Sequence, residues 1–96
     1  MRIIWAKSAL LDLIAIRAYI VQYHPHAAAR IAAEIVATAE LLVLNPALGT
    51  ALPKPGYRRL VIGGTVYILI YRIRSEDLEI LEVFDARRRR PRTRIR

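Results

Sequence analysis

The chain has 96 residues, room for one compact domain and too few for two. A hydrophobic share of 55% supports a buried core and excludes disorder of the whole chain, while the lack of cysteine excludes disulfides, thiol catalysis and thiolate zinc sites. Residues 1–86 carry nine basic and eight acidic side chains, so most of the net charge of +8 comes from the seven arginines among residues 87–96: a basic tail on a balanced body.

Ile3, Ile4 and Trp5 form a short β-prone run that Lys7 and Ser8 close, which predicts a first strand over residues 2–6. Ser8 is the expected N-cap of a following helix, with Asp12 near its first turn. Ala9, Leu13, Ile16 and Ile20 recur at helical spacing and carry that helix to about Tyr23. His24-Pro25 breaks it, because a residue before proline is pushed out of helical geometry while proline suits the first turn of a new helix. The second helix is expected from about Pro25 to Leu44, with Ala28, Ile31, Ala32, Ile35, Ala39 and Leu42 facing inward.

Asn45-Pro46 ends that helix, and Pro46, Gly49, Pro53, Pro55 and Gly56 predict a loop to Gly56. The apolar period then changes to two. Residues 57–62, 66–74 and 78–84 are β-branched and aromatic runs separated by Gly63-Gly64 and by Ser75-Glu76-Asp77, which predicts a three-stranded meander. The order β-α-α-β-β-β indicates an α+β fold with a helical hairpin on one face of a small, mostly antiparallel sheet.

Leu10, Ile14, Ala18 and Val21 form a second apolar band on the first helix, beside its core stripe. A helix apolar over so much of its circumference in so small a domain calls for a partner on that band. The longest uncharged strings, residues 41–53 and 60–71, are shorter than the ~20 residues that span a bilayer, so a soluble, cytoplasmic protein without membrane association is expected. His24 and His26 lack supporting carboxylates and read as solvated turn residues; no metal and no cofactor are expected. Gly63-Gly64 reads as a hairpin turn and not as a phosphate loop.

The cations fall in two groups. Arg58 and Arg59 alternate across a strand, and with Arg72 and the tail residues Arg87, Arg88, Arg89 and Arg90 they are the candidate target-binding or polyanion-binding residues. The bland alternative is pairing with nearby acids such as Glu79 or Glu82. The tail holds one apolar residue, Ile95, among repelling cations and is interrupted by Pro91. It is therefore expected to lie outside the folding core, residues 1–86, and to order only against a partner.

Trp5, Ser8-Ala9, Asp12-Leu13, Ile16, Tyr19-Ile20, Asn45-Pro46, Gly49, Arg58-Arg59-Leu60, Tyr67, Tyr71-Arg72, Ile80, Val83 and Asp85 with Arg87-Arg88, in that order, resemble the RelE/ParE toxin superfamily over almost the whole chain. The resemblance implies the toxin half of a bacterial type II toxin-antitoxin module, bound by a cognate ParD-like antitoxin. Members of the RelE branch cut messenger RNA on the ribosome, and those of the ParE branch inhibit DNA gyrase. RNA cleavage asks for a base and an acid besides cations. The RelE branch often supplies a tyrosine or histidine from its C-terminal segment, yet here none follows Tyr71. Tyr71-Arg72 and the Asp85–Arg88 ending look more like the ParE branch. The expected function is gyrase inhibition without catalytic residues. The alternatives are a RelE-like ribonuclease, for which Arg58, Arg72 and Arg87 would be the site, and a basic nucleic-acid-binding module.

Overall fold

The computed structural model describes residues 1–88 and 90–96 and contains five strands and two helices. In chain order these are β1 (Arg2–Trp5), α1 (Lys7–Val21), α2 (Pro25–Leu44), β2 (Thr50–Ala51), β3 (Tyr57–Val61), β4 (Tyr67–Arg74) and β5 (Asp77–Asp85). They build one sheet of order β1-β5-β4-β3-β2, antiparallel except for the β1–β5 pair, with the α1–α2 hairpin on one face. This is the expected α+β arrangement. The addition is β2, which pairs Thr50 and Ala51 with Arg59 and Arg58 inside the segment expected to be irregular.

The start of α1 differs from expectation. The helix begins at Lys7 with Ala6 at the cap position and no side-chain cap. Ser8 Oγ instead donates to the Leu81 carbonyl at 3.2 Å, and the Asp12 carboxylate accepts the Val83 N–H at 3.1 Å. The reason lies in β5. Ile70 pairs with Glu82 but Tyr71 pairs with Ile80, so Leu81 is the extra residue of a β-bulge. Pairing with β1 stops at Ile80, and the backbone groups beyond it need other partners. Two side chains of α1 supply them, which ties helix to strand at a fixed register.

The second turn is as the sequence dictates. The N–H groups of Tyr23 and His24 both reach the Ile20 carbonyl, and Pro25 opens α2, where a missing N–H costs nothing. Ala28, Ile35, Ala39 and Leu42 are fully buried, with Ile31 packed beside them; on α1, Ala9 and Ile20 are buried and Leu13 and Ile16 pack against the same core. These residues meet Leu69, Tyr71, Leu78, Ile80 and Val83 on the helix-facing side of the sheet.

The opposite face of the sheet carries a second, smaller core. Ile68, Ile70 and Phe84 are buried there, and Leu52, Leu81 and Ile95 pack against them. The expectation for the tail is corrected here: packing does not stop at residue 86. The Lys54 N–H bonds the Ile95 carbonyl at 2.9 Å, so the chain near its end runs beside the loop that precedes β3. The anchor is Glu82, fully buried in β5. Its carboxylate accepts the N–H groups of Arg92 and Thr93 at 3.0 and 2.9 Å and the Thr93 hydroxyl at 2.6 Å. Arg92 also reaches α1, donating to both oxygens of Asp12 at 3.0 and 2.7 Å. A buried carboxylate is stable only when its lone pairs are bonded, and the tail supplies those bonds. Repulsion among the tail cations is offset by two acceptors on the body, the Glu82 and Asp12 carboxylates, and by one donor, the Lys54 N–H that holds the Ile95 carbonyl.

Candidate partner and target surfaces

The second band of α1 is on the outside. Leu10, Ile14 and Val21 are 44%, 65% and 46% exposed, and Ala18 is exposed as well. The hairpin adds apolar residues that the band did not include: Leu11 on α1, and Leu41 and Leu44 near the C-terminal end of α2. Because the two helices run antiparallel, that end of α2 lies alongside the N-terminal half of α1. At about 100° per residue, Leu41 and Leu44 are turned away from the inward positions Ala39 and Leu42, so their exposure follows from the same helical spacing.

The structure separates the candidate arginines. Arg58 stands opposite Tyr71 and therefore on the helix-facing side of the sheet, whereas Arg59 opposite Ile70 and Arg72 opposite Tyr57 share the far side. Arg58 is occupied within the fold: its guanidinium donates to the Gly49 carbonyl at 2.7 Å and to the Ala47 carbonyl at 3.4 Å. That loop is closed from the other side by Tyr71, whose hydroxyl accepts the Gly49 N–H at 2.9 Å and donates to the Pro46 carbonyl at 2.7 Å. Arg72 pairs with Glu79 at 2.6 Å and donates to the Tyr57 hydroxyl at 3.2 Å, as the bland alternative anticipated. These hydrogen bonds, the one to Glu79 foremost, raise the Arg72 pKa further above its ordinary value.

At the end of β5 the chain turns on Asp85. Its carboxylate accepts the Arg87 guanidinium at 2.9 and 3.1 Å and the Arg87 N–H at 2.9 Å. The side-chain hydrogen bond from Arg87 is the main reason that the Asp85 carboxyl is held below its ordinary pKa. Arg88 lies over the Tyr19 ring, 4.7 Å from its centre. Together with Asp12, Tyr67 and Asp85 these two residues line a groove of about 400 Å³ between α1 and the end of β5. Arg89 lies outside the described residues. Arg90 lies on the far face, where it and Arg59 line a cavity of about 270 Å³ walled by Ile68, Ile70, Phe84 and Ile95. Of the proposed cations, the structure therefore brings together Arg59 and Arg90, and keeps Arg58, Arg72 and Arg87 at three separate places.

His24 and His26 are both exposed at the turn between the helices. Among the described residues no group of His, Cys, Asp and Glu has the proximity needed to hold a metal ion, and no helix is long and apolar enough to cross a membrane.

Comparison with known proteins agrees with this geometry. The family described as the ParE toxin of the type II toxin-antitoxin system, parDE, matches residues 3–90. Among solved structures, the chain is similar to one of the chromosomal ParDE TA system from P. aeruginosa, with a TM-score of 0.77 and 27% identity, covering 86% of this chain and 92% of that one. No curated protein matches at a significant level.

Proposed function

The chain belongs to the ParE toxin family of type II toxin-antitoxin systems, and on that premise we propose that it inhibits DNA gyrase and is neutralised by a ParD-like antitoxin seated on the helical hairpin. The observation that carries the choice of target is the state of the three arginines that a ribonuclease would need. Arg58 holds the 46–49 loop, Arg72 is paired with Glu79 and Arg87 is paired with Asp85, so they do not converge on one reacting phosphate. Binding a target asks for no such convergence and for no cofactor or metal. The cations of the tail would support the contact by attraction to gyrase-bound DNA, over a screening length of ~8 Å at physiological salt. Gyrase and antitoxin alike place this action in the cytoplasm.

The test is direct. Purified toxin is expected to lower gyrase supercoiling activity and to leave ribosome-bound message intact. Site-specific cleavage of message that disappears in Arg58→Ala or Arg72→Ala would hand the function to the ribonuclease reading.

The antitoxin surface has its own expectation. Burying a large apolar side chain contributes ~1.5–3 kcal/mol, and Leu10 and Ile14 are exposed without a partner inside the fold. Leu10→Glu and Ile14→Glu are thus expected to leave the melting temperature of the toxin nearly unchanged and to weaken the antitoxin complex at least tenfold each. Calorimetric titration with the cognate antitoxin reads this out, and an unchanged Kd would remove the hairpin from the interface.

A further inference from the structure

We propose that the far-face cavity is the docking site for an acidic peptide segment of the toxin's protein target, which inserts one apolar side chain between Ile68, Ile70, Phe84 and Ile95 and places a flanking carboxylate on Arg59. The inference rests on the target-binding role proposed above and deepens it by naming the chemistry of the contact.

Size is the first argument. At about 270 Å³ the cavity is smaller than the roughly 300–1,000 Å³ of small-molecule sites, and suits one large side chain better than a whole cofactor. Lining chemistry is the second. The walls are aliphatic and aromatic carbon, and the charged lining residues are Arg59 and Arg90, both exposed. A nucleobase pushed in would bury the donors and acceptors of its edges against walls that offer none, whereas a leucine or phenylalanine side chain has no such groups to satisfy.

Charge is the third argument. Unlike Arg58, Arg72 and Arg87, Arg59 has a guanidinium with no hydrogen-bond or ion-pair partner among the described residues. A guanidinium at the rim of an apolar cavity favours a carboxylate next to the inserted side chain, since the planar fork binds carboxylate oxygens in pairs. Position is the fourth. The cavity opens on the sheet face away from α1 and α2, so a partner covering the hairpin leaves it accessible. That separation assigns the segment to the target and not to the antitoxin.

The experiment uses the full chain and a fluorescein-labelled, N-acetylated peptide Glu-Asp-Leu-Phe-Asp-Glu, followed by anisotropy. Saturable binding is expected, with amide resonance shifts at Ile68, Ile70 and Ile95. Binding should fall at least tenfold with Arg59→Glu, and equally when Leu-Phe in the peptide is replaced by Ser-Ser. Arg30→Glu makes the same change of net charge on α2 and should leave binding unaltered. Equal weakening by Arg30→Glu and Arg59→Glu, or loss of the peptide to an excess of octathymidylate that shifts the same resonances, would overturn the proposal. The first outcome means diffuse attraction and the second a nucleic-acid site. Supercoiling assays separate this inference from its premise: peptide binding without gyrase inhibition removes only the target assignment, and gyrase inhibition retained by Arg59→Glu removes only the docking site.

Discussion

Gly49→Ala is expected to destabilise the protein by about 3 kcal/mol, from overpacking of ~1–3 kcal/mol and a lost hydrogen bond of about 1 kcal/mol. A Cβ at this position would lie 2.7 Å from the Arg59 carbonyl oxygen and 2.7 Å from the Tyr71 hydroxyl. The first obstacle is backbone of β3 and the second is a fully buried ring, so neither can swing aside. Relief would require moving the loop, which breaks the Gly49 N–H bond to Tyr71 and the Arg58 bond to the Gly49 carbonyl. Tyr71→Phe tests the same knot without a clash. It strands the Gly49 N–H and the Pro46 carbonyl and is expected to cost ~1–3 kcal/mol, read from urea unfolding.

Alkaline unfolding distinguishes Tyr71→Phe from an ordinary cavity. Burial is the main cause that raises the Tyr71 pKa above its ordinary 10.0, outweighing the Gly49 hydrogen bond and the nearby Arg58 charge. The folded pKa thus exceeds the unfolded one. Tyr71 then contributes stability that is complete below pH 10 and is lost as pH rises through the folded value. The wild type should lose stability more steeply above pH 10 than Tyr71→Phe does. Equal slopes would mean that the hydroxyl ionises freely in the folded state.

Why some elements were legible in the sequence and others not follows from what each depends on. The helices, the Pro25 break and the meander rest on local periodicity and turn chemistry, which any single chain displays. The role of Ser8 and Asp12 was not local. Both sit where caps belong, yet a bulge at Leu81, more than 60 residues away, leaves backbone groups that claim them. No spacing rule relates an N-cap candidate to a distant bulge. Arg58 illustrates the same limit: strand alternation put it and Arg59 on opposite faces, but only the tertiary fold brings the 46–49 loop over one of them.

The covered far face did leave a trace. Residues 67–71 are apolar without alternation, and β4 is buried on both sides along that stretch. A continuous apolar strand implies a cover on each face, while the two helices can supply only one. Glu82 is the second trace, one of two carboxylates, with Glu79, in the mainly apolar run from Leu78 to Phe84. Read jointly they ask for a polar, partly apolar segment elsewhere in the chain. Pro91–Ile95, with Thr93 to satisfy a carboxylate and Ile95 to fill a gap, is that segment.

Deleting Pro91–Arg96 is accordingly expected to be strongly destabilising. The loss removes three hydrogen bonds to the buried Glu82 carboxylate, frees Asp12 from Arg92 and uncovers Ile68, Ile70 and Phe84. Hydrogen bonds to a charged group contribute ~1.5–3 kcal/mol each, but water reaches the carboxylate once the strap is gone and replaces part of that. A net loss of about 3 kcal/mol remains, a fall in Tm of roughly 10–20 °C for a domain of this size. An unchanged Tm would return the tail to a solvated arm. A second substitution tests the same coupling, because the size of its effect depends on whether the tail is present. In the full chain Glu82→Leu strands the N–H groups of Arg92 and Thr93 and should lower Tm. In the truncated chain those donors are absent, so the same change should cost clearly less. An equal fall in Tm in both backgrounds would show that Glu82 and the tail are not coupled.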